Sequence, residues 1–281
     1  MIKKQGNKAR CVMIQGTSSH AGKSLLTAAI CRIFVKRGLR VAPFKAQNMS
    51  LNSFVAQGGE IGMAQALQAR AAGIEPSVDM NPILLKPSAD SVSQVIIHGR
   101  VHSVMTAQEY HGFKAQAKRF VRESFERLSK QYDVIVIEGA GSPAEVNLRK
   151  NDVANMGMAA IAKSPVVIVG DIDRGGVFAS FVGTVELLTK TERARVAGFI
   201  INKFRGDASL LKPGLSFLKR RTGVPTLGVI PYMKAILLPD EDSVSLETIE
   251  DPFLFSSPFT GEGRVGVKRQ KYGVSKNQRT I

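Results

Sequence analysis

Residues 14–25 read IQGTSSHAGKSL. Within them Gly16 and the run Gly22-Lys23-Ser24 bracket five residues: Thr17, Ser18, Ser19, His20 and Ala21. Glycines let backbone N–H groups converge on phosphate oxygens, and a helix that starts at such a loop turns its positive end toward the same anion. Lys23 then neutralises charge on β- and γ-phosphates, and the Ser24 hydroxyl is placed to hold Mg²⁺. The usual phosphate loop has four residues between its glycines, and here one more is inserted. Other candidates for chemistry lie further along the chain. Glu138, in VIEGAGSPAEVNLR, offers a carboxylate for magnesium, directly or through water. Lys45, in PFKAQNMSLNS, can stabilise negative charge developing on a transferring phosphoryl group. Beside it Gln47, Asn48, Ser50 and Asn52 supply many hydrogen-bonding groups and little charge, which suits a large, amide-rich substrate. Glu60 reads either as a favourable acid in the first turn of a helix or as a second Mg²⁺ carboxylate. Asp171 and Asp173, in GDIDRGG, are expected to shape the site or touch substrate, and Asn202-Lys203, in INKFRGD, is a pair suited to reading a purine base.

Elements able to position these residues recur along the chain. RCVMIQ (10–15) reads as a strand, residues 25–36 as a helix, and LRVAPFK (39–45) as a second strand. EIGMAQALQARAAG (60–73) reads as a helix closed by Gly73. ILLKP and SQVIIHG look like strands, and a long helix fills about 106–130. DVIVIEG (133–139), PVVIVGDID (165–173), VAGFIIN (196–202) and TLGVI (226–230) are near-continuous apolar runs, as expected of strands buried on both faces. The alternation predicts an α/β fold, a doubly wound and mostly parallel sheet with helices on its faces. In such sheets ligands bind beyond the carboxyl ends of the strands. The glycine loop, Lys45, Glu138, Asp171 and Asn202 all fall at such ends, a coincidence that packing alone does not require.

Composition narrows the function class. The chain has 281 residues, and 44% are hydrophobic, enough for one sizeable core. No apolar run reaches the roughly 18 residues needed to span a bilayer, and no signal peptide precedes the first strand. The net charge of +16 is concentrated in the ends: residues 1–10 carry four Lys/Arg and no acid, and residues 264–281 carry six and no acid. A specific nucleic-acid role is therefore not expected, and neither is a membrane. Cys11 and Cys31 stand far apart, and the four histidines (20, 98, 102 and 111) form no metal spacing. Two reduced, packed thiols in a cytoplasmic protein are the expectation. The pattern divides the chain into a basic N-terminal extension (1–10), a P-loop unit (11–246) and an irregular basic tail (247–281).

The loop GTSSHAGKS resembles that of the dethiobiotin synthetase branch of P-loop NTPases. FKAQNMSLNS, EIGMAQALQARAAG, EGAGSPAEVNL, GDIDRGGVFAS, NKFRGD and LPDEDSVSL, in that order, resemble the cobyric acid synthase family more specifically, from about residue 11 to 246. That resemblance implies an ATP- and Mg²⁺-dependent amide ligase of cobalamin biosynthesis, acting on a corrin, cobyrinic acid a,c-diamide. Its peripheral carboxylates become acyl phosphates that ammonia, released from glutamine, displaces. By the same resemblance residues 16–24 hold the phosphates, Lys45 and Lys23 assist phosphoryl transfer, Ser24, Glu138 and Glu60 hold Mg²⁺, and Asn202 reads adenine. A homodimer is left open. The family continues into a glutamine amidotransferase domain with a cysteine nucleophile and a histidine base. No such pair is recognisable here, and the basic tail is expected to come from a truncated or frameshifted reading frame. Competing readings are a dethiobiotin-synthetase-like enzyme or corrin diamide synthase, a partitioning-type ATPase, and an inactive nucleotide-binding remnant. KAQNMSLNS and GDIDRGGVFAS count against the first two, and Gly16-Thr17, where partitioning ATPases place a lysine, counts against the third.

Overall fold

A computed structural model describes residues 8–89 and 91–233. The expectations for the end of the P-loop unit, the LPDEDSVSL motif and the basic tail lie outside these residues, as does most of the basic extension.

Six runs rich in β-branched and aliphatic residues form one parallel sheet: β1 (Arg10–Gly16), β2 (Val41–Phe44), β9 (Val134–Glu138), β10 (Val166–Asp171), β11 (Val196–Phe204) and β12 (Thr226–Pro231). Their order is β12-β11-β10-β1-β9-β2. The chain leaves β1 through helix α1 (Lys23–Lys36) for the edge strand β2, returns to β9, and then passes β1 to build the other half. β1 thus sits at the crossing point of the two halves, where this architecture opens a crevice at the strand ends. Pairing of Ile14 with Glu138 on one side, and of Gly16 with Val169 on the other, brings the ends of β1, β9 and β10 level.

Both faces of the sheet are covered, which explains the continuous apolar runs. Met13, Ile135, Ile137, Ile168 and Phe199 face one core, with Phe125 and Phe181 from the helices α3 (Ala107–Gln131) and α5 (Val177–Leu187). Ile14, Val136 and Val169 face the other, against Leu26 and Cys31 of α1. Phe181 and Phe199 meet with ring centroids 4.5 Å apart, within the distance at which aromatic pairs add to simple burial. Helices α4 (Met156–Ala162), α6 (Lys190–Arg193) and α7 (Lys212–Thr222) complete the connections.

The doubly wound parallel sheet agrees with the sequence pattern, whereas the region 47–106 is richer than expected. β3 (Gln47–Met49) pairs in parallel with β6 (Ile83–Ala89), which continues into the antiparallel strands β7 (Val92–Ile97) and β8 (Arg100–Thr106). β4 (Ser53–Ala56) and β5 (Gly59–Gly62) form a separate hairpin. The predicted helix over 60–73 is consequently shorter, α2 (Met63–Ala71). Glu60 does not open it; it lies in β5 opposite Val55. The reason is local: the glycines at 58 and 59 take φ of 96° and 151°, and residues 59–62 gain strand partners before the helix begins. Gly73 does adopt the left-handed conformation expected just past a helix end, with φ of 68°. No helix among the described residues is long and apolar enough to cross a membrane.

Candidate functional site

The glycine loop joins the buried end of β1 to α1. Gly22 caps the helix with φ of 97°, in the left-handed region that side chains avoid. The helix has no side-chain cap and no acid in its first turn, an arrangement that suits an external anion at its positive end. Lys23 folds back across the loop, its Nζ donating to Ser18 O at 2.9 Å and Gly141 O at 3.1 Å. Gly16 leaves room for this: a Cβ there would stand 2.7 Å from Ser18 O and 3.0 Å from Lys23 Nζ. The far side of the loop is tied to β11. Asn202 Nδ2 donates to Ala21 O at 2.9 Å, and Lys203 Nζ to His20 O at 2.9 Å and Asp171 Oδ2 at 2.8 Å. Thr17 N bonds Val169 O of β10, so both neighbouring strands fix the loop.

Glu138 is the node of the site. Its carboxylate is 1% exposed at the end of β9. Oε1 accepts from Ser24 Oγ at 2.8 Å and Lys45 Nζ at 2.9 Å, and Oε2 accepts from Gln68 Nε2 at 2.5 Å. A buried carboxylate costs several kcal/mol unless it is paired and hydrogen-bonded, and here it is both. Lys45 is itself 5% exposed, so the pair is desolvated on both sides. Loop lysine, loop serine, strand-end lysine and strand-end carboxylate all line one cleft of about 830 Å³. This set of charged, hard-oxygen and glycine-backbone groups is what a nucleoside triphosphate with a divalent cation requires.

The family described as the CobQ/CobB/MinD/ParA nucleotide binding domain matches residues 12–245. The chain belongs to that family. Its sequence is 60% identical over 240 residues to the cobyric acid synthase of Sorangium cellulosum, an alignment covering 85% of this chain and 46% of that protein. It is 61% identical over 234 residues to the cobyric acid synthase of Alkaliphilus metalliredigens, covering 83% and 46%. The chain thus spans about half the length of the curated relatives it matches. Among solved structures, the septum site-determining protein MinD of Pyrococcus horikoshii, complexed with Mg-ADP, is similar with a TM-score of 0.44 and 20% identity, covering 80% of this chain and 82% of that one.

Within this nucleotide-binding domain the predicted site residues fall into three groups, the first being Gly16, Thr17, Ser18 and Ala21, which belong to the glycine loop without lining the cleft. Ser19, His20, Gly22, Lys23, Ser24, Lys45, Gln47, Asn48, Glu138, Asp171, Asp173, Asn202 and Lys203 line the shared cleft. Asp171 and Asp173 are held by cations. Lys203 bonds the first, and Arg205 lies 2.8 Å from the second, holding its carboxyl below the usual carboxylate value through that hydrogen bond. Glu60, Ser50 and Asn52 are not brought to the cleft. Glu60 pairs instead with Lys86 at 2.5 Å, and the Ser50 hydroxyl closes a turn onto the backbone of Asn52. Among the described residues no three His, Cys, Asp or Glu side chains gather into a metal centre.

Four buried amides escaped the sequence analysis. Gln65 and Gln68 of α2 reach toward Glu138, and Gln65 accepts from Asn48 Nδ2 at 3.1 Å. Asn81 Nδ2 donates to Lys45 O at 3.0 Å, fixing the lysine's backbone. Asn155 bonds both the N–H and the carbonyl of Ala140, bracing the glycine turn after Glu138. The readable signal was the spacing of Gln65 and Gln68, two amides three residues apart on an alanine-rich helix face that is otherwise apolar.

The two thiols are packed, as expected. Burial pushes Cys31 up to about 12 and Cys11 up to about 11. Neither is an activated nucleophile, because thiolate nucleophiles need a lowered value. Among the described residues neither is paired with a histidine: Cys11 Sγ bonds Ala9 O, while His98 and His102 pack on Phe120.

Proposed function

We propose that this chain uses ATP and Mg²⁺ to activate peripheral carboxylates of a corrin, cobyrinic acid a,c-diamide, for amidation to cobyric acid. The observation that carries the reading is the Glu138 node. A desolvated carboxylate, the loop hydroxyl and a strand-end lysine meet in one cleft, in a chain 60% identical to a cobyric acid synthase over this region. Residues 16–24 cradle the phosphates, with Lys23 on the β- and γ-phosphates. The donor set fits magnesium: Ser24 Oγ and Glu138 Oε1 are hard oxygens 2.8 Å apart. When bound, the metal neutralises phosphate charge and orients the γ-phosphoryl group. Glu60, paired with Lys86, has no part in this set. Asn202 shapes the loop through its Nδ2 and offers its carboxamide oxygen to the adenine amino group, with Lys203 beside it.

The chemistry answers a leaving-group problem. A carboxylate oxygen does not leave when ammonia attacks. Attack of that oxygen on the γ-phosphorus releases ADP and forms an acyl phosphate. Ammonia then adds to the carbonyl carbon, phosphate departs, and the amide loses a proton. Lys45 is the residue assigned to the charge on the transferring phosphoryl group. Gln47 and Asn48 contact the substrate periphery, which carries both amides and carboxylates. Asp171 and Asp173, already paired with cations, shape the site.

This region takes its nitrogen as ammonia, whatever releases it. Glutamine hydrolysis needs an activated thiolate beside a base, and the raised, packed Cys11 and Cys31 do not meet that need. Mass analysis of the corrin with either ammonium or glutamine as sole donor tests this. Amides are expected from ammonium, increasing as pH rises and more NH₃ is free. Equal amidation from glutamine contradicts the assigned nitrogen source. No amide from either donor, with ATP still bound, contradicts the function.

A further inference from the structure

One cation in the cleft has no task in the scheme above. Lys114 lies in the N-terminal third of α3, is only 9% exposed, and lines the same cleft as Lys45 and Glu138. Among the described residues its ammonium makes no hydrogen bond and no ion pair. Burying an ammonium without a partner is costly, and an idle lysine is ordinarily found extended into solvent. Of the six acids that line the cleft, Glu145 is exposed to solvent and the other five are engaged elsewhere: Asp171 with Lys203, Asp173 with Arg205 and Glu192 at its Thr189 cap. Glu138 is held by Ser24, Lys45 and Gln68, and Asp152 accepts backbone N–H groups from Ala154, Asn155 and Gly157.

The position of Lys114 is fixed. One helical turn before it, Tyr110 is 7% exposed, and its hydroxyl donates to Gln47 Oε1 at 2.8 Å. Residues four apart share a helix face. This bond therefore registers the Lys114 face of α3 against β3, the polar strand whose Gln47, Asn48 and Met49 also line the cleft. Lys114 is thus anchored through the β3 side of the cleft, and the phosphates of the proposed nucleotide already have Lys23 and the start of α1.

We infer that Lys114 is a substrate-binding residue: it takes a carboxylate of a polycarboxylate substrate, a different carboxylate from the one being activated, and so selects for an acidic periphery. The inference rests on the corrin reading above, and it names the anion as carboxylate rather than nucleotide phosphate. A charge-assisted hydrogen bond lost here lowers affinity by about ten- to a hundredfold.

The test is calorimetric binding of cobyrinic acid a,c-diamide, and separately of ATP with Mg²⁺, to the 281-residue chain and its Lys114→Met and Lys114→Arg variants. Lys114→Gln stands in if the Met variant does not fold, as judged by its unfolding midpoint. The expected result is a tenfold or greater loss of corrin affinity in Lys114→Met, unchanged ATP affinity, substantial recovery in Lys114→Arg, and a shallower salt dependence of corrin binding in the Met variant. Equal corrin binding by wild type and Lys114→Met overturns the inference and leaves the function standing. An equal loss for ATP also overturns it, because the anion is then a phosphate. A wild-type chain that binds ATP but no corrin overturns the function itself, and the inference falls with it.

Discussion

Replacing Gly22 with alanine probes the loop at its tightest point. The backbone there has φ of 97°, and an added Cβ would lie 2.1 Å from Asn202 Nδ2. Two costs follow. A side chain in the left-handed region costs roughly 1–2 kcal/mol. Displacing Asn202 breaks its bond to Ala21 O, and these residues are 3% and 0% exposed, so no water replaces the partner. A buried polar group left without its partner costs about 1–3 kcal/mol. Gly22→Ala should therefore lose roughly 2–5 kcal/mol of unfolding free energy in urea at unchanged m-value. Because much of this cost runs through one contact, the variant should couple to Asn202→Ala. The double variant should be more stable than the sum of the single costs by at least about 1 kcal/mol. A Gly22→Ala chain within about 0.5 kcal/mol of wild type, or strictly additive costs, would refute the close packing of β11 on the loop.

Lys23→Ala removes the cation proposed to meet the β- and γ-phosphates and should weaken ATP binding with Mg²⁺ about ten- to a hundredfold, measured by calorimetry; unchanged affinity removes the site assignment. Glu138→Gln removes the buried carboxylate that faces Lys45, itself 5% exposed, and should cost about 3 kcal/mol in urea denaturation. The Glu138→Gln/Lys45→Met chain should recover much of that, and failure to recover would show that the ion pair is not the source of the cost. Burial raises the Cys31 thiol from 9.0 to about 12, so the folded chain favours the neutral form. Its contribution to stability is complete below the ordinary value and is lost as pH rises toward the raised one, because the unfolded thiol ionises first. Stability should fall less steeply above pH 9.0 in Cys31→Ala than in wild type, and identical slopes would mean that the thiol is not buried.

The strands of the parallel sheet were legible because burial on both faces removes polar residues from them. DVIVIEG and PVVIVGDID admit few other readings once they alternate with helical stretches. The site was legible for a related reason: a glycine loop, Lys45, Glu138 and Asn202 punctuate strand ends where packing does not call for them. The second sheet was less readable. β8 has mostly exposed or half-buried side chains, so its Val101 and Val104 mark no apolar face, and β3 is a polar run of three residues. Glu60 was misplaced because Gly62 in EIGM was read as part of the helix, whereas it ends β5 and caps α2; the strand there depends on pairing with Ser53–Ala56. Lys114 was invisible for a different reason. On a long helix rich in Lys, Arg and Glu, nothing local distinguishes the lysine that tertiary packing buries beside Lys45 and Glu138 in the cleft.

In the proposed mechanism, phosphoryl transfer to a corrin carboxylate precedes amide formation in the cleft around Glu138. The most direct measurement uses cobyrinic acid a,c-diamide with ¹⁸O in its peripheral carboxylates, incubated with the chain, ATP, Mg²⁺ and ammonium. Mass analysis then follows both the corrin and the inorganic phosphate. One ¹⁸O should be delivered to phosphate for each amide formed, with both products lost in Glu138→Ala. Amide formation that leaves the phosphate unlabelled would contradict the mechanism.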